Sequence, residues 1–184
     1  AVGIIEYAWF QMAVFMGFGS VFRAAVMKLI PILVTGGIHM DGFLDTMDAL
    51  SSWKEKEQRL AILKDPHAGA FAVITGCVYF VISFGAATEI TGAILPIYCL
   101  GFAVSRCFSA LSVVYFKNAN PGGSAATFAD KAQKNVVGVV VMITLAILFA
   151  ALCWLSLVLG LVCIATAVAV FCFYRFKSGK YFGG

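Results

Sequence analysis

Three carboxylates lie within eight residues of the chain, at Asp41, Asp45 and Asp48. A helix turns by about 100° per residue, so at this spacing the three side chains share one face, which we call the acidic stripe. Like charges three or four residues apart repel each other. A hard divalent cation among them reverses this, because Mg²⁺ binds carboxylate oxygens and keeps positions open for water and substrate phosphate. The stripe therefore favours a Mg²⁺ site, with a solvated first helical turn, where Asp is also favoured, as the alternative.

Phosphoryl transfer is the chemistry that suits such a stripe. Metal ions held by carboxylates neutralise the charge on the transferring group, and a further Asp can position or deprotonate a hydroxyl. Gly36, Gly37 and Gly42 allow the backbone to approach a ligand closely. The polar residues near the stripe include His39 and His67, each of which is also common as a structural residue. The segment from Pro121 to Ser124 could present backbone N–H groups to phosphate.

Composition assigns the chain to the membrane. Of its 184 residues 62% are hydrophobic and only 12% are charged, which is far outside the soluble range. The net charge of +4 does not indicate nucleic-acid binding, because the basic residues are spread over separate short connectors. The six cysteines lie in apolar stretches without a CxxC pair, which is typical of small buried hydrophobes. We expect no cleavable signal peptide, and the abrupt apolar start predicts a further upstream part.

The apolar stretches predict an all-α polytopic membrane helix bundle, which we take as one transmembrane helical domain over residues 1–184. The predicted spans are residues 2–22, 67–88, 92–116, 136–154 and 156–174. Residues 24–34 contain Lys28 and Pro31 and fit a short span, a tilted span or a re-entrant segment. The polar run 51–64 fits a short helix capped by Ser51 or Ser52, or a solvated connector. After it, Asp65 and Pro66 could begin the next helix.

The basic residues predict the orientation. If the spans from residue 67 onward alternate, then ten of the 13 Lys and Arg residues fall on one side, in the connector 51–66, the loop 117–135 and the tail. Positive loops face the cytoplasm, so the acidic stripe faces it too. Arg106 lies inside the span 92–116, where a charge is costly unless it faces a partner or a polar cavity. We expect it to point into the bundle interior. Arg23 and Lys28 could extend their charges to the membrane surface.

Two motifs resemble one family. The segment GIHMDGFLDTMD, residues 37–48, is similar to the GGxHxDGxxDTxD signature of the cobalamin synthase family, the adenosylcobinamide-GDP ribazoletransferases. Residues 59–71 resemble that family's second motif, a KDxxxGAFG-like turn into a span. Residues 121–123 match a later Pro-Gly-Gly loop. The first motif is specific, and the second supports it at the expected distance.

This resemblance implies a multi-pass enzyme of the prokaryotic cytoplasmic (inner) membrane that depends on Mg²⁺. It would join adenosylcobinamide-GDP to α-ribazole, or to α-ribazole 5′-phosphate, and release GMP. Asp41, Asp45 and Asp48 would hold the metal against the pyrophosphate, while a ribazole hydroxyl attacks the phosphorus attached to cobinamide. Asp48, the last carboxylate, is assigned as the base. The further site candidates are His39 and Asp45 for catalysis, and Lys64, Asp65, Arg106, Gly122 and Gly123 for substrate phosphate.

The chain also departs from the family pattern. Members are usually longer, with an N-terminal segment before the first span and a Thr-Gly-Asp segment after the Gly-Gly that ends this sequence. Asn120 stands where a basic residue often precedes Pro-Gly-Gly. Two other hypotheses stay open at this point, a CDP-alcohol phosphatidyltransferase-like enzyme and a non-enzymatic cation-binding transporter. The sequence leaves the oligomeric state open, a homo-oligomer included.

Overall fold

The computed structural model describes residues 1–116 and 133–182, and within these ranges the regular structure is entirely helical. The helices are α1 Val2–Phe15, α2 Ser20–Thr35, α3 Ile38–Ser51, α4 Lys56–Ile62, α5 Ala70–Thr88, α6 Leu95–Tyr115, α7 Lys134–Leu155 and α8 Leu157–Phe182. Two compact units divide the chain, Ala1–Leu95 and Pro96–Gly184. The prediction of an all-α polytopic membrane protein is confirmed.

Four helices, α5 to α8, are long and apolar enough to cross a bilayer. They agree with four of the predicted spans, although α8 continues eight residues past the predicted end at residue 174. The predicted span 2–22 is wrong as one helix. α1 has only 14 residues and ends before Gly17, whose φ of +74° lies in the left-handed region that glycine adopts readily. A helix of that length is about 21 Å long, short of the hydrocarbon thickness.

α1 and α2 form a hairpin in the first unit. Trp9 donates its indole N–H to the backbone oxygen of Arg23 at 3.1 Å, and its ring stacks on Phe18. The guanidinium of Arg23 lies 4.5 Å from the centroid of the Phe10 ring. Arg23 is therefore half-buried between the two helices, and its charge is held against an aromatic face.

A buried acidic residue also links these helices. Glu6 on α1 is fully buried, and its charge interacts with that of Lys28 on α2. A carboxylate and an ammonium inside an apolar environment are tolerated because each offsets the charge of the other. Glu6 and Lys28, the charged residues within the first two apolar stretches, thus interact electrostatically between α1 and α2.

A sharp corner separates α2 from α3. The N–H of Gly36 bonds to the oxygen of Leu33 and that of Gly37 to the oxygen of Ile32, which is the Schellman pattern of a helix end. Both glycines have positive φ, +63° and +77°. The axes of the two helices differ by 96°. Residues 24–34, for which the sequence allowed several kinds of segment, therefore belong to a bent helix pair of the kind seen in broken spans and re-entrant loops.

α3 then packs against α5, in the antiparallel direction. Near one end of the contact, Asp48 meets the first turn of α5, at Ala72. At the other end, the ring of Phe43 lies 5.6 Å from that of Tyr79. As α5 advances from residue 72 to residue 79, its contacts therefore move backwards along α3. Between α3 and α5 lies the short helix α4, whose N-cap is Glu55 rather than the predicted Ser51 or Ser52.

The second unit has its own apolar core between α6, α7 and α8. Its buried centre comprises Ile97, Val104, Cys107, Leu145 and Leu152. They are three or seven residues apart along α6 and α7, which places them on one face of each helix. Cys107 lies among these apolar side chains and is the one cysteine that is buried as predicted, whereas the other five free thiols are half-buried or exposed.

One end of this unit gathers aromatic and basic residues. The hydroxyl of Tyr115, at the end of α6, donates to the backbone oxygen of Lys134, at the start of α7. Arg175 on α8 lies 5.4 Å from the centroid of the Phe116 ring. The end of α6, the start of α7 and the last turns of α8 thus meet at one end of the unit, together with their cationic residues.

Candidate functional site

All three residues of the acidic stripe lie on α3, so the prediction of a helix through residues 41–48 is confirmed. Asp41 is in the first turn and exposed, whereas Asp45 and Asp48 are half-buried. The negative charge of Asp41 interacts favourably with the positive end of the helix dipole. From Asp41 to Asp48 the helix rises about 10 Å. The stripe thus runs from an exposed end to an end that contacts α5.

Asp45 is the electrostatic centre of the stripe. The charges of both Asp41 and Asp48 act on its carboxylate. Three negative charges on one face repel each other, and this repulsion falls when a cation or a proton lies among them. Within the same helix, the Thr46 hydroxyl donates to the backbone oxygen of Gly42.

Asp48 has a second set of contacts, with the start of α5. Its Oδ1 accepts a hydrogen bond from the backbone N–H of Ala72 at 3.3 Å. Its carboxylate also packs directly against Gly69, the N-cap of α5. Asp48, at the end of the stripe that contacts α5, therefore caps the N-terminus of this membrane-spanning helix.

The stripe fits a Mg²⁺ ion through its first two members. Among the described residues, no group of three or more His, Cys, Asp or Glu side chains is arranged to hold a metal. Asp41 and Asp45 nevertheless offer hard oxygen donors on one helix face, and Mg²⁺ in phosphate-binding sites commonly uses one or two carboxylates together with water and substrate phosphate. The donor pair is suitable for that ion, with Asp48 engaged by α5.

His39 lies apart from the stripe. It is exposed in the first turn of α3, and helix geometry places it about 160° round the axis from Asp41 and about 180° from Asp48. The structure therefore does not bring it together with the carboxylates on their face.

The connector before α5 places the next two candidates. Lys64 and Asp65 are both exposed. Asp65 Oδ1 accepts the backbone N–H of His67 at 2.9 Å and lies 2.7 Å from its Nδ1. These bonds lower the pKa of Asp65, the backbone bond most. Asp65 therefore stabilises a turn of the connector, and the prediction that Asp65 and Pro66 begin the next helix is wrong, since α5 begins at Ala70.

Arg106 lies on α6 in the second unit. Its side chain is exposed, whereas the buried face of α6 carries Ile97, Val104 and Cys107. Arg106 therefore lies off the face that forms the core of its own unit, and the expectation that it points into the bundle interior stays a prediction. Its assignment to substrate phosphate stays a prediction. Gly122 and Gly123, predicted to bind phosphate, lie outside the described residues.

Sequence reasoning missed Gly69 and Ala72 as partners of the stripe. The signal was present, because Gly69 is the glycine of the KDxxxGAF segment that marked the second motif. Its contact with Asp48 joins that motif to the first one. The two motifs are therefore parts of one structural element, the α3–α5 pair.

Comparison with known proteins agrees with this arrangement. The family model described as cobalamin-5-phosphate synthase, CobS, matches residues 1–184. A relative from Lachnoclostridium phytofermentans is 43% identical over 185 residues, covering all of this chain and 70% of its own length. One from Clostridium botulinum strain Eklund 17B is 39% identical over 46% of this chain and 34% of its own length. Another, from Desulfitobacterium hafniense, is 32% identical over 61% of this chain and 46% of its own length.

All three relatives are named adenosylcobinamide-GDP ribazoletransferase. No solved structure matches the chain. The matches favour the cobalamin synthase resemblance over the CDP-alcohol phosphatidyltransferase and transporter hypotheses. With its full length matched by the family model, this chain belongs to the cobalamin-5-phosphate synthase family.

Proposed function

We propose that this protein catalyses the reaction for which its relatives are named, the transfer that completes the nucleotide loop of adenosylcobalamin. Adenosylcobinamide-GDP is the donor, and α-ribazole or its 5′-phosphate is the acceptor. The observation that carries this proposal is the match over the whole chain to a relative of that name. The acidic stripe on α3 supports the location of the chemistry.

The reaction is a substitution at phosphorus. A ribose hydroxyl of the acceptor forms a new P–O bond to the phosphorus attached to cobinamide, and the P–O bond to the GMP moiety breaks. GMP leaves with the electron pair of that bond, and the hydroxyl proton passes to a base. The chain must therefore hold a pyrophosphate, orient a hydroxyl and accept one proton.

Asp41 and Asp45 would hold Mg²⁺, which supplies charge neutralisation on the pyrophosphate oxygens when it is bound. The hydroxyl proton would pass to an oxygen of Asp45 that does not bind the metal, since burial and the two neighbouring negative charges favour proton binding by this carboxylate. This shifts the base role from Asp48, whose Oδ1 accepts the N–H of Ala72. Lys64, in the exposed connector, would neutralise further phosphate charge.

The membrane location supports an active site on the cytoplasmic side of the inner membrane. The cationic connector 51–66 adjoins the end of α3, and Lys134, Arg175 and Lys177 lie at one end of the second unit. Cationic loops are retained in the cytoplasm. The donor substrate carries a nucleotide and the released GMP is one, which also favours the cytoplasmic side. A homo-oligomer is compatible with this proposal and is not required by it.

The test is an assay of GMP release by the detergent-purified protein, with adenosylcobinamide-GDP and α-ribazole. We expect turnover with Mg²⁺ and none in excess EDTA. Asp41→Asn and Asp45→Asn should each lower turnover by about 100-fold or more, since several kcal/mol of charge stabilisation are lost. Glu57→Gln, which removes an exposed carboxylate on α4, is the matched control and should keep wild-type turnover.

Release of CMP from a CDP-alcohol substrate, with no GMP formed, would contradict the proposal. Wild-type rates in both Asp variants would contradict the assigned metal site even if GMP were released.

A further inference from the structure

The contact of Asp48 with α5 has the form of a helix cap supplied by another helix. The first N–H groups of any helix have no partner within it. An N-cap side chain usually accepts the N–H of the third helical residue, which in α5 is Ala72. The N-cap of α5 is Gly69, which has no side chain. Asp48 supplies the missing acceptor from α3, at 3.3 Å.

Space, and not backbone freedom, explains the glycine at the N-cap. Gly69 has φ −78° and ψ 170°, an extended conformation that every residue adopts. A Cβ added there would lie 2.6 Å from Cγ of Asp48, closer than carbon atoms pack. The carboxylate can therefore reach the helix end only because residue 69 has no side chain.

Two apolar contacts between α3 and α5 lie further along the same interface. A Cβ added at Gly76 would lie 3.1 Å from Cδ2 of Leu44, so α3 and α5 approach closely there as well. The rings of Phe43 and Tyr79 pack one turn further along. Apolar side chains can slide against each other, whereas the hydrogen bond of Asp48 requires one position. That bond, together with the close contact of Leu44 with Gly76, constrains the position of α3 along α5.

We propose that Asp48 is a positioning residue of the transferase site, and that Gly69 allows this role because it leaves room for the Asp48 carboxylate at the start of α5. By capping α5, Asp48 holds α3 in the orientation in which Asp41 and Asp45 present their carboxylates to the metal-bound pyrophosphate. This inference rests on the proposed function for the identity of the substrate, and it replaces the assignment of Asp48 as metal ligand and base.

The experiment compares the purified wild-type protein with Asp48→Ala, Asp48→Asn and Gly69→Ala. The side-chain amide oxygen of Asn can still accept the N–H of Ala72, whereas Ala removes the acceptor and Gly69→Ala displaces it. Gly85→Ala is the matched control on α5, because a Cβ there meets no atom within 4 Å. Two quantities are measured, the Mg²⁺ concentration for half-maximal GMP release and the thermal unfolding midpoint without Mg²⁺ or substrates.

We expect Asp48→Ala and Gly69→Ala to raise the half-maximal Mg²⁺ concentration by about tenfold and to lower the unfolding midpoint. Asp48→Asn should restore both values to within about threefold and a few degrees of wild type. Equal loss of Mg²⁺ response in Asp48→Asn and Asp48→Ala would overturn the inference, because the charge itself would then be required. A lower midpoint with an unchanged Mg²⁺ response would also overturn it, since Asp48 would then only stabilise the fold.

The unfolding arm separates this inference from the proposed function. A wild-type protein without GMP release would refute the function. The pairing of α3 with α5 would still stand if Asp48→Ala lowers the midpoint and Asp48→Asn restores it, and it would fail if the two variants unfold alike. If Asp48→Ala yields no folded protein, Asp48→Asn and Gly69→Ala carry the same comparison.

Discussion

Replacing Asp45 with Asn should stabilise the metal-free protein while it removes activity. Asp45 lies four residues after Asp41 and three before Asp48, and both charges act on it. A like-charge pair at either spacing destabilises a helix by about 0.2–0.5 kcal/mol, so removing the middle charge relieves two pairs and about 0.4–1 kcal/mol. For a chain of this size 1 kcal/mol corresponds to about 2–4 °C, which predicts a rise in the unfolding midpoint of about 1–4 °C.

The assay is thermal unfolding of the detergent-purified protein in EDTA and again in saturating Mg²⁺ with inorganic pyrophosphate. In EDTA, Asp41→Asn should gain less than Asp45→Asn, because it relieves one pair and also loses the favourable interaction with the start of α3. Glu57→Gln should not raise the midpoint, because Glu57 lies in the first turn of α4 and its charge interacts favourably with that helix end. With Mg²⁺ and pyrophosphate, wild type should have a higher unfolding midpoint than either Asp variant, since only wild type is stabilised by the bound ion. A lower midpoint for Asp45→Asn in EDTA would refute the reasoning, because it would mean that the fold stabilises this carboxylate.

Three further changes test the local structure. The hydrogen bonds from His67 lower the pKa of Asp65 in the folded protein, so the charged form of Asp65 stabilises the fold above its unfolded pKa of about 4. The difference in unfolding midpoint between wild type and Asp65→Asn should therefore persist at neutral pH and vanish as the pH falls below about 4. Trp53 is exposed, and its φ of +54° lies in the left-handed region, which is unfavourable for a residue with a Cβ. Trp53→Gly should raise the free energy of unfolding, measured with denaturant in detergent, by about 0.5–1 kcal/mol, because relief of this strain outweighs the larger backbone entropy that glycine has in the unfolded chain. A Cβ at Gly138 would collide with the Tyr115 hydroxyl, so Gly138→Ala should displace the Tyr115 ring, break its bond to the oxygen of Lys134 and lower that free energy by about 0.5–1.5 kcal/mol. An unchanged value would contradict the contact of Tyr115 with α7.

The sequence predicted the helix of the acidic stripe because its information is local. Residues 41, 45 and 48 need only the helical repeat to share a face. The spans of α5 to α8 were equally accessible, since length and apolarity alone define a candidate span. The first span failed for the opposite reason. Apolarity continues from residue 2 to residue 22, while the chain turns at Gly17, whose positive φ a hydropathy pattern does not register.

The orientation of Arg106 could have been predicted from the same pattern. Val104 and Cys107 define the buried face of α6, and Arg106 lies about 160° round the helix axis from the first and about 100° from the second. The cost of a charge in a membrane concerns the whole bundle, whereas this pattern gives only the position of Arg106 relative to the core of its own unit. Within that unit, α6 also exposes Ser105 and Ser109 beside Arg106.

The pairing of α3 with α5 lay beyond sequence reasoning, although both of its motifs were visible. Asp48 and Ala72 are 24 residues apart, and no periodicity relates them. Spacing therefore assigned all three carboxylates one role, as metal ligands. The tertiary contact divides them, because a carboxylate at the unsatisfied N-terminus of another helix gains hydrogen bonding and a favourable dipole there.

This division accounts for the position of the site between two helix ends. The paired left-handed glycines, Gly36 and Gly37, turn the chain by 96° out of α2 and begin α3. The cap at Asp48 then attaches the far end of α3 to the first turn of a membrane-spanning helix. A short helix held at both ends keeps Asp41 and Asp45 at fixed positions, because the turn and the cap add to the apolar contacts of Phe43 and Leu44 with α5. In a phosphotransferase the carboxylates must meet a charged substrate at fixed distances, and here the rigidity comes from the turn and the cap.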